Sequence, residues 1–178
     1  MNLLLPFLHY FEIATKKEKT INVIVPTIIA ASLTLSTINS DSFQTMLNQL
    51  YNVIPILASI LIGFTATMIT IVITDSSRSF SRLKGHITTR KINGDNISIY
   101  RLYFIQLYFV LYCEIILIFI VILFSLLTSA YTDELVSSTI ASGIMAFTVI
   151  LLLFTVLISL FSLMANMYSI VASHKEID

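Results

Sequence analysis

Few residues in this chain have the type and spacing for chemistry, and the one that most needs a reason is Glu114. It stands in the run Tyr-Phe-Val-Leu-Tyr-Cys-Glu-Ile-Ile-Leu-Ile-Phe, residues 108–119. An acid at the centre of a membrane-spanning helix costs on the order of 3 kcal/mol, so it is placed against a bundle interior, a subunit interface or water. At 3.6 residues per turn, Tyr103 and Ser125 fall close to its face, with Thr128 and Tyr100 nearby, so a polar seam is expected. Three chemistries fit. Glu114 joins helices as a protonated or hydrogen-bonded carboxyl, or lines an oligomeric pore and selects cations, or carries protons. The last lacks a relay partner, since no Arg, Lys, His or second carboxylate lies within an apolar run.

The other reactive types are sparse. His9, His86 and His174 are scattered, and Cys113 is the only cysteine, so there is neither metal-ligand spacing nor an internal disulfide. No glycine-rich phosphate loop, His-Glu metal motif or nucleophile–base pair occurs. The sequence therefore assigns no catalytic residue, cofactor or metal, and the expectation is a protein that is not an enzyme.

The elements that position Glu114 are set by composition. Of 178 residues, 57% are hydrophobic and 11% charged, against roughly 25% charged in a soluble domain. Four apolar runs, 21–38, 53–74, 102–130 and 135–172, contain a single charge, Glu114. About 20 apolar residues of helix cross the hydrocarbon, and backbone amides there must be satisfied within the segment. The expected fold is all-α: one polytopic domain of four transmembrane helices, with an N-terminal interfacial helix and a basic loop over 75–101. A cleaved leader fits poorly, because apolar residues 3–13 precede the lysines at 16, 17 and 19.

All 10 Lys and Arg residues lie in the N-terminal segment, the 75–101 loop or the C-terminal tail, whereas the loops 39–52 and 131–134 carry only Asp41, Asp133 and Glu134. Positive charge stays inside, so both termini and the middle loop are expected in the cytoplasm.

Smaller patterns point to contacts. Span two carries a smooth stripe, Ser59, Gly63, Ala66, Thr67, Thr70 and Thr74, and span four a longer one that includes Ser159, Ser162 and Asn166. Small residues let backbones approach in a membrane, so these stripes are expected to pack within the bundle, or to line a pore or join subunits. Phe43, Met46, Leu47, Leu50, Tyr51 and Ile54 make an amphipathic helix that leads into span two and bends near Pro55. Leu4, Leu5, Phe7, Leu8 and Phe11 form the interfacial helix, which either packs beneath the bundle or anchors to the membrane or a partner. In the middle loop Arg78, Arg82, Lys84, Arg90 and Lys91 are candidates for contact with anionic lipid or a cytosolic protein. The loop is too short for a nucleic-acid-binding fold. Asn93-Gly94-Asp95 is a turn signal, after which Asn96 or Ser98 caps the helix into span three.

The interfacial helix, Pro-Ile-Leu-Ala-Ser-Ile-Leu-Ile-Gly-Phe (55–64) and Lys-Ile-Asn-Gly-Asp-Asn-Ile-Ser-Ile-Tyr-Arg (91–101) give the chain a plan that resembles small four-span inner-membrane proteins of bacterial antiphage defence. The membrane subunits of Kiwa systems are among these, and four-span accessory proteins of RNA-targeting CRISPR systems are similar. The resemblance implies a homo-oligomer in the bacterial inner membrane that senses or scaffolds beside a cytosolic protein partner. A pore-forming effector that depolarises the membrane, and a small transporter, stand as alternatives.

Overall fold

The computed structural model describes residues 5–38, 40, 43–74, 84–130 and 139–173. Four of its helices are long and apolar enough to cross a bilayer. Helix α1 (Leu5–Ile13) is followed by a composite first span: α2 (Lys16–Lys19), a π-helical turn at Thr20–Ile24 and α3 (Val25–Thr37). The second span is α4 (Phe43–Thr74). A hairpin of β1 (Ile87–Ile92) and β2 (Asp95–Ser98) then leads into α5 (Ile99–Ala130), and α6 (Thr139–Ser173) closes the chain.

Local chemistry explains several boundaries. Thr15 caps α2 in a reciprocal box, its hydroxyl accepting from the Glu18 amide while the Glu18 carboxylate accepts from the Thr15 amide. Pro26 has no N–H for the carbonyl four residues earlier, and its ring would crowd that group. Just before it the helix widens, and the Val25 amide bonds back to the Thr20 carbonyl. The turn Asn93-Gly94 has positive φ at both residues, 52° and 92°, as a two-residue hairpin loop requires. Ile92 pairs with Asp95 across it. Ser98 then accepts from the Arg101 amide at 3.2 Å, so the cap expected at Asn96 or Ser98 is at Ser98.

Within 75–101 the expected basic loop is thus a short antiparallel hairpin over 87–98, the only sheet among the described residues. The amphipathic entry to span two forms as expected. Phe43, Leu47 and Ile54 are buried, whereas Thr45, Asn48, Gln49 and Asn52 are exposed. The assigned helix runs unbroken through Pro55.

Helices α5 and α6 pack on each other; α4 lies against α5, and α3 against α6. The outer pair is therefore thinly covered, with 22% of the first and second spans buried within the chain against 44% of the fourth. Close approach of α3 and α6 uses Gly143, where a Cβ would come within 2.5 Å of Ile38 Cδ1. At the hairpin end, Tyr10, Ile13 and Ala14 meet Ile92 and Ile97, together with Leu102, Phe109 and Leu160 of the long helices.

Helix α1 packs beneath the bundle through Tyr10 and the phenylalanines of the expected face, not through its leucines. Tyr10 stacks on Phe109 with centroids 3.7 Å apart, and Phe7 and Phe11 flank the same ring. Leu5 and Leu8 stay exposed. Leu4 lies outside the described residues.

Candidate functional site

Glu114 is fully buried between α4 and α5. Its Oε1 accepts a hydrogen bond from the Thr65 hydroxyl at 2.8 Å, and Oε2 is buried without a partner among the described residues. The expected seam does not assemble around it. Tyr103 is buried about three turns away, against Ile69 and Val72 of the same α4 face and Leu163 of α6, and Ser125 is exposed. Helix α4 covers α5 on both sides of this point: Thr65 meets it at Glu114, and about three turns further on Tyr51 meets Phe124, with centroids 5.3 Å apart. The side chains around Thr128 lie outside the described residues. What Glu114 can do in one chain is hold α5 to α4 through Thr65.

The stripe on α4 faces away from the bundle, which corrects the expectation that it packs within it. Ser59, Gly63, Thr67 and Thr70 are all exposed, and a Cβ at Gly63 would meet nothing within 4 Å. The hydroxyls of Ser59, Thr67, Thr70 and Thr74 bond to carbonyls four residues earlier at 2.7–2.9 Å. Because the helix satisfies them itself, this face needs no polar neighbour. The packed face is instead Ile54, Ala58, Thr65, Ile69 and Val72. On α6 the expectation holds for Ser159, which is buried, while Ser162 and Asn166 are half-buried and line cavities.

A more elaborate site lies at the hairpin end. Arg90 on β1 forms a bidentate pair with Glu18, at 2.8 and 2.9 Å, and also donates to the Ile13 carbonyl at 3.3 Å. The amide of Asn93 donates to Glu12 Oε1 at 2.9 Å. These bonds tie the hairpin to α1 and to the foot of the first span. Planar guanidinium–carboxylate pairs of this kind fix orientation as well as adding energy.

Beneath this pair opens a cavity of about 270 Å³ lined by Glu18, Thr88, Arg90, Tyr103, Gln106 and Asn166 among others. Gln106 also lines a water-sized space of about 10 Å³ with Tyr10, Asn22, Ser159 and Ser162. Three polar atoms at that space, Asn22 Oδ1, Gln106 Oε1 and Ser159 Oγ, are buried without a protein partner among the described residues. The Asn22 amide donates to the Tyr10 hydroxyl at 2.8 Å. Burial pushes the Tyr10 hydroxyl above its ordinary pKa, with the Asn22 bond pulling the other way. The two cavities share Gln106, so polar side chains from Glu18 and Arg90 through Gln106 to Asn22 and Ser159 mark a polar path inward from the hairpin.

Of the basic candidates, Arg90 is committed to Glu18, so it is not a free surface cation. Lys84 is exposed and lies 5.0 Å from the Tyr100 ring centroid, and Lys91 is exposed. Arg78 and Arg82 lie outside the described residues. Sequence reasoning passed over Thr65, Asn22 and Gln106. The signal for the last two was present: an amide inside an apolar run needs a partner as surely as a charge does. Compared with protein-family models, curated proteins and solved structures, the chain matches none.

Proposed function

We propose that this protein is a self-associating inner-membrane scaffold or sensor that recruits or signals to a cytosolic protein through its hairpin end. The observation that carries the reading is the Arg90–Glu18 pair with its neighbouring bonds, which make a rigid platform from segments 72 residues apart in sequence. Exposed Lys84, Ile87, Thr89, Lys91 and Asn96 surround it. The polar path beneath supports the sensing half of the proposal, because a ligand or proton held there would act on the hairpin through Arg90 and Thr88. The burial of Glu114 against Thr65 favours scaffold over pore. Defence against phage is the setting that the resemblance implies, and the smooth outer face of α4 suits association with a second copy.

Photo-crosslinking amino acids at Thr89, Lys91, Asn96, Gln49 and Thr67 test this in intact cells. The expected outcome is a soluble-protein adduct from the three hairpin positions, none from Gln49, and a chain-to-chain adduct from Thr67. Hairpin probes that yield only lipid or no adduct would remove the partner reading, and a monomer at Thr67 the self-association.

A further inference from the structure

A second groove, apart from the polar path, lies between α1 and the start of α5. It encloses about 280 Å³ and is lined by Leu5, His9, Arg101, Phe104, Ile105 and Tyr108. We propose that this groove seats one anionic phospholipid, with its phosphate on Arg101 and His9 and an acyl chain along Leu5, Phe104, Ile105 and Tyr108. The bound lipid braces α1 against the bundle.

The placement fits the shape of a lipid. Arg101 lies in the first turn of α5, at the end of the third span, where a bilayer's headgroups would meet it. Tyr108 is seven residues further along, about 10 Å deeper at 1.5 Å per residue. Along this stretch the rings of Tyr100, Phe104 and Tyr108 form a ladder on one face of the helix, with neighbouring centroids 6.3 and 4.7 Å apart. Across the groove Leu5 remains exposed. Arg101 therefore puts a cation at one end of a groove whose walls are otherwise largely apolar.

Charge selects the occupant. An apolar groove in a bilayer gains little from one lipid tail over another, because the surrounding tails are as apolar as its walls. Preference must come from the headgroup. The single ion pair among the described residues is Arg90–Glu18, so the Arg101 charge has no carboxylate partner there, and His9 offers a ring N–H beside it. A basic residue at a membrane surface attracts anionic lipid by about fivefold. A zwitterionic lipid brings its own ammonium to the same place and gains less. This inference is independent of the partner reading, since it needs only the membrane placement of α5.

Native mass spectrometry of the full chain released from mixed micelles tests it, with phosphatidylglycerol and phosphatidylethanolamine of equal chain length as probes. The expected result is one retained phosphatidylglycerol, favoured about fivefold. Arg101→Gln should lose that preference, Arg101→Lys should keep most of it, and Lys17→Gln at the exposed foot of the first span should leave it unchanged. Glycerol 3-phosphate, a headgroup without chains, should not displace the lipid. If Arg101→Gln inserts poorly, hydrogen exchange of wild-type protein in nanodiscs serves instead: residues 5–13 should be better protected with phosphatidylglycerol than with phosphatidylcholine. Equal retention of both lipids, equal loss in Lys17→Gln, ready displacement by glycerol 3-phosphate, or α1 protection that ignores headgroup would each overturn the proposal.

Discussion

Glu114 shows how differently a residue reads in one dimension and in three. Its cost in an apolar run was legible, and so was the need for a polar neighbour. The neighbour was not. Thr65 falls between the residues of the smooth stripe on α4, and nothing in a list of hydroxyls says which of them turns inward. The structure separates them: four outward hydroxyls bond to their own helix, and Thr65 alone of these bonds to another. Glu114→Gln keeps the shape and the acceptor, so expression and assembly should be unchanged. Thr65→Val removes the bond and leaves Oε1 unpaired, at a cost of about 0.5–2 kcal/mol, read as reversible unfolding in mild detergent. If the glutamine variant unfolds more readily than Thr65→Val, or abolishes a cation flux seen with the wild type in liposomes, the charge itself is at work and the helix-joining role is wrong.

Among the elements, the spans were plain from hydropathy because each is long and flanked by charge, with Glu114 the single charge inside any of the four apolar runs. The entry to α4 was plain from its period, since Phe43, Leu47 and Ile54 recur on one face and are buried there. The hairpin was not. Its first strand, Ile-Thr-Thr-Arg-Lys-Ile, has no alternation of apolar residues, and only Ile92 within it is buried; its order comes from α1 and Glu18, which lie far away in sequence. The π-turn was hidden for a related reason: Pro26 signals a break, but whether the helix kinks or widens depends on what Asn22 meets. The Arg90–Glu18 pair should therefore be the keystone of this end. Arg90→Glu should raise hydrogen exchange at Ile92 and Ile97, and the swap Glu18→Arg with Arg90→Glu should recover part of the loss. A coupling of about 1–2 kcal/mol is expected for a half-buried bidentate pair. Equal exchange in all variants would mean that the hairpin is held by apolar contacts alone.

For the whole molecule, the arrangement is asymmetric along its length. One end gathers α1, the hairpin, the polar path and the charged pair, and the other offers the amphipathic entry to α4. The expectation from charge placement is that the first end faces the cytoplasm, and the functional proposal rests on that expectation. Cys113 is buried and is the chain's only cysteine, so Cys113→Ser gives a cysteine-free background for single probes at exposed Asn96 and Gln49. Intact cells are treated with a membrane-impermeant maleimide before and after permeabilisation. The account predicts that Gln49→Cys labels at once, whereas Asn96→Cys labels only after the membrane is opened. Labelling of Asn96→Cys in intact cells, with Gln49→Cys protected, would contradict it and turn the platform away from any cytosolic partner.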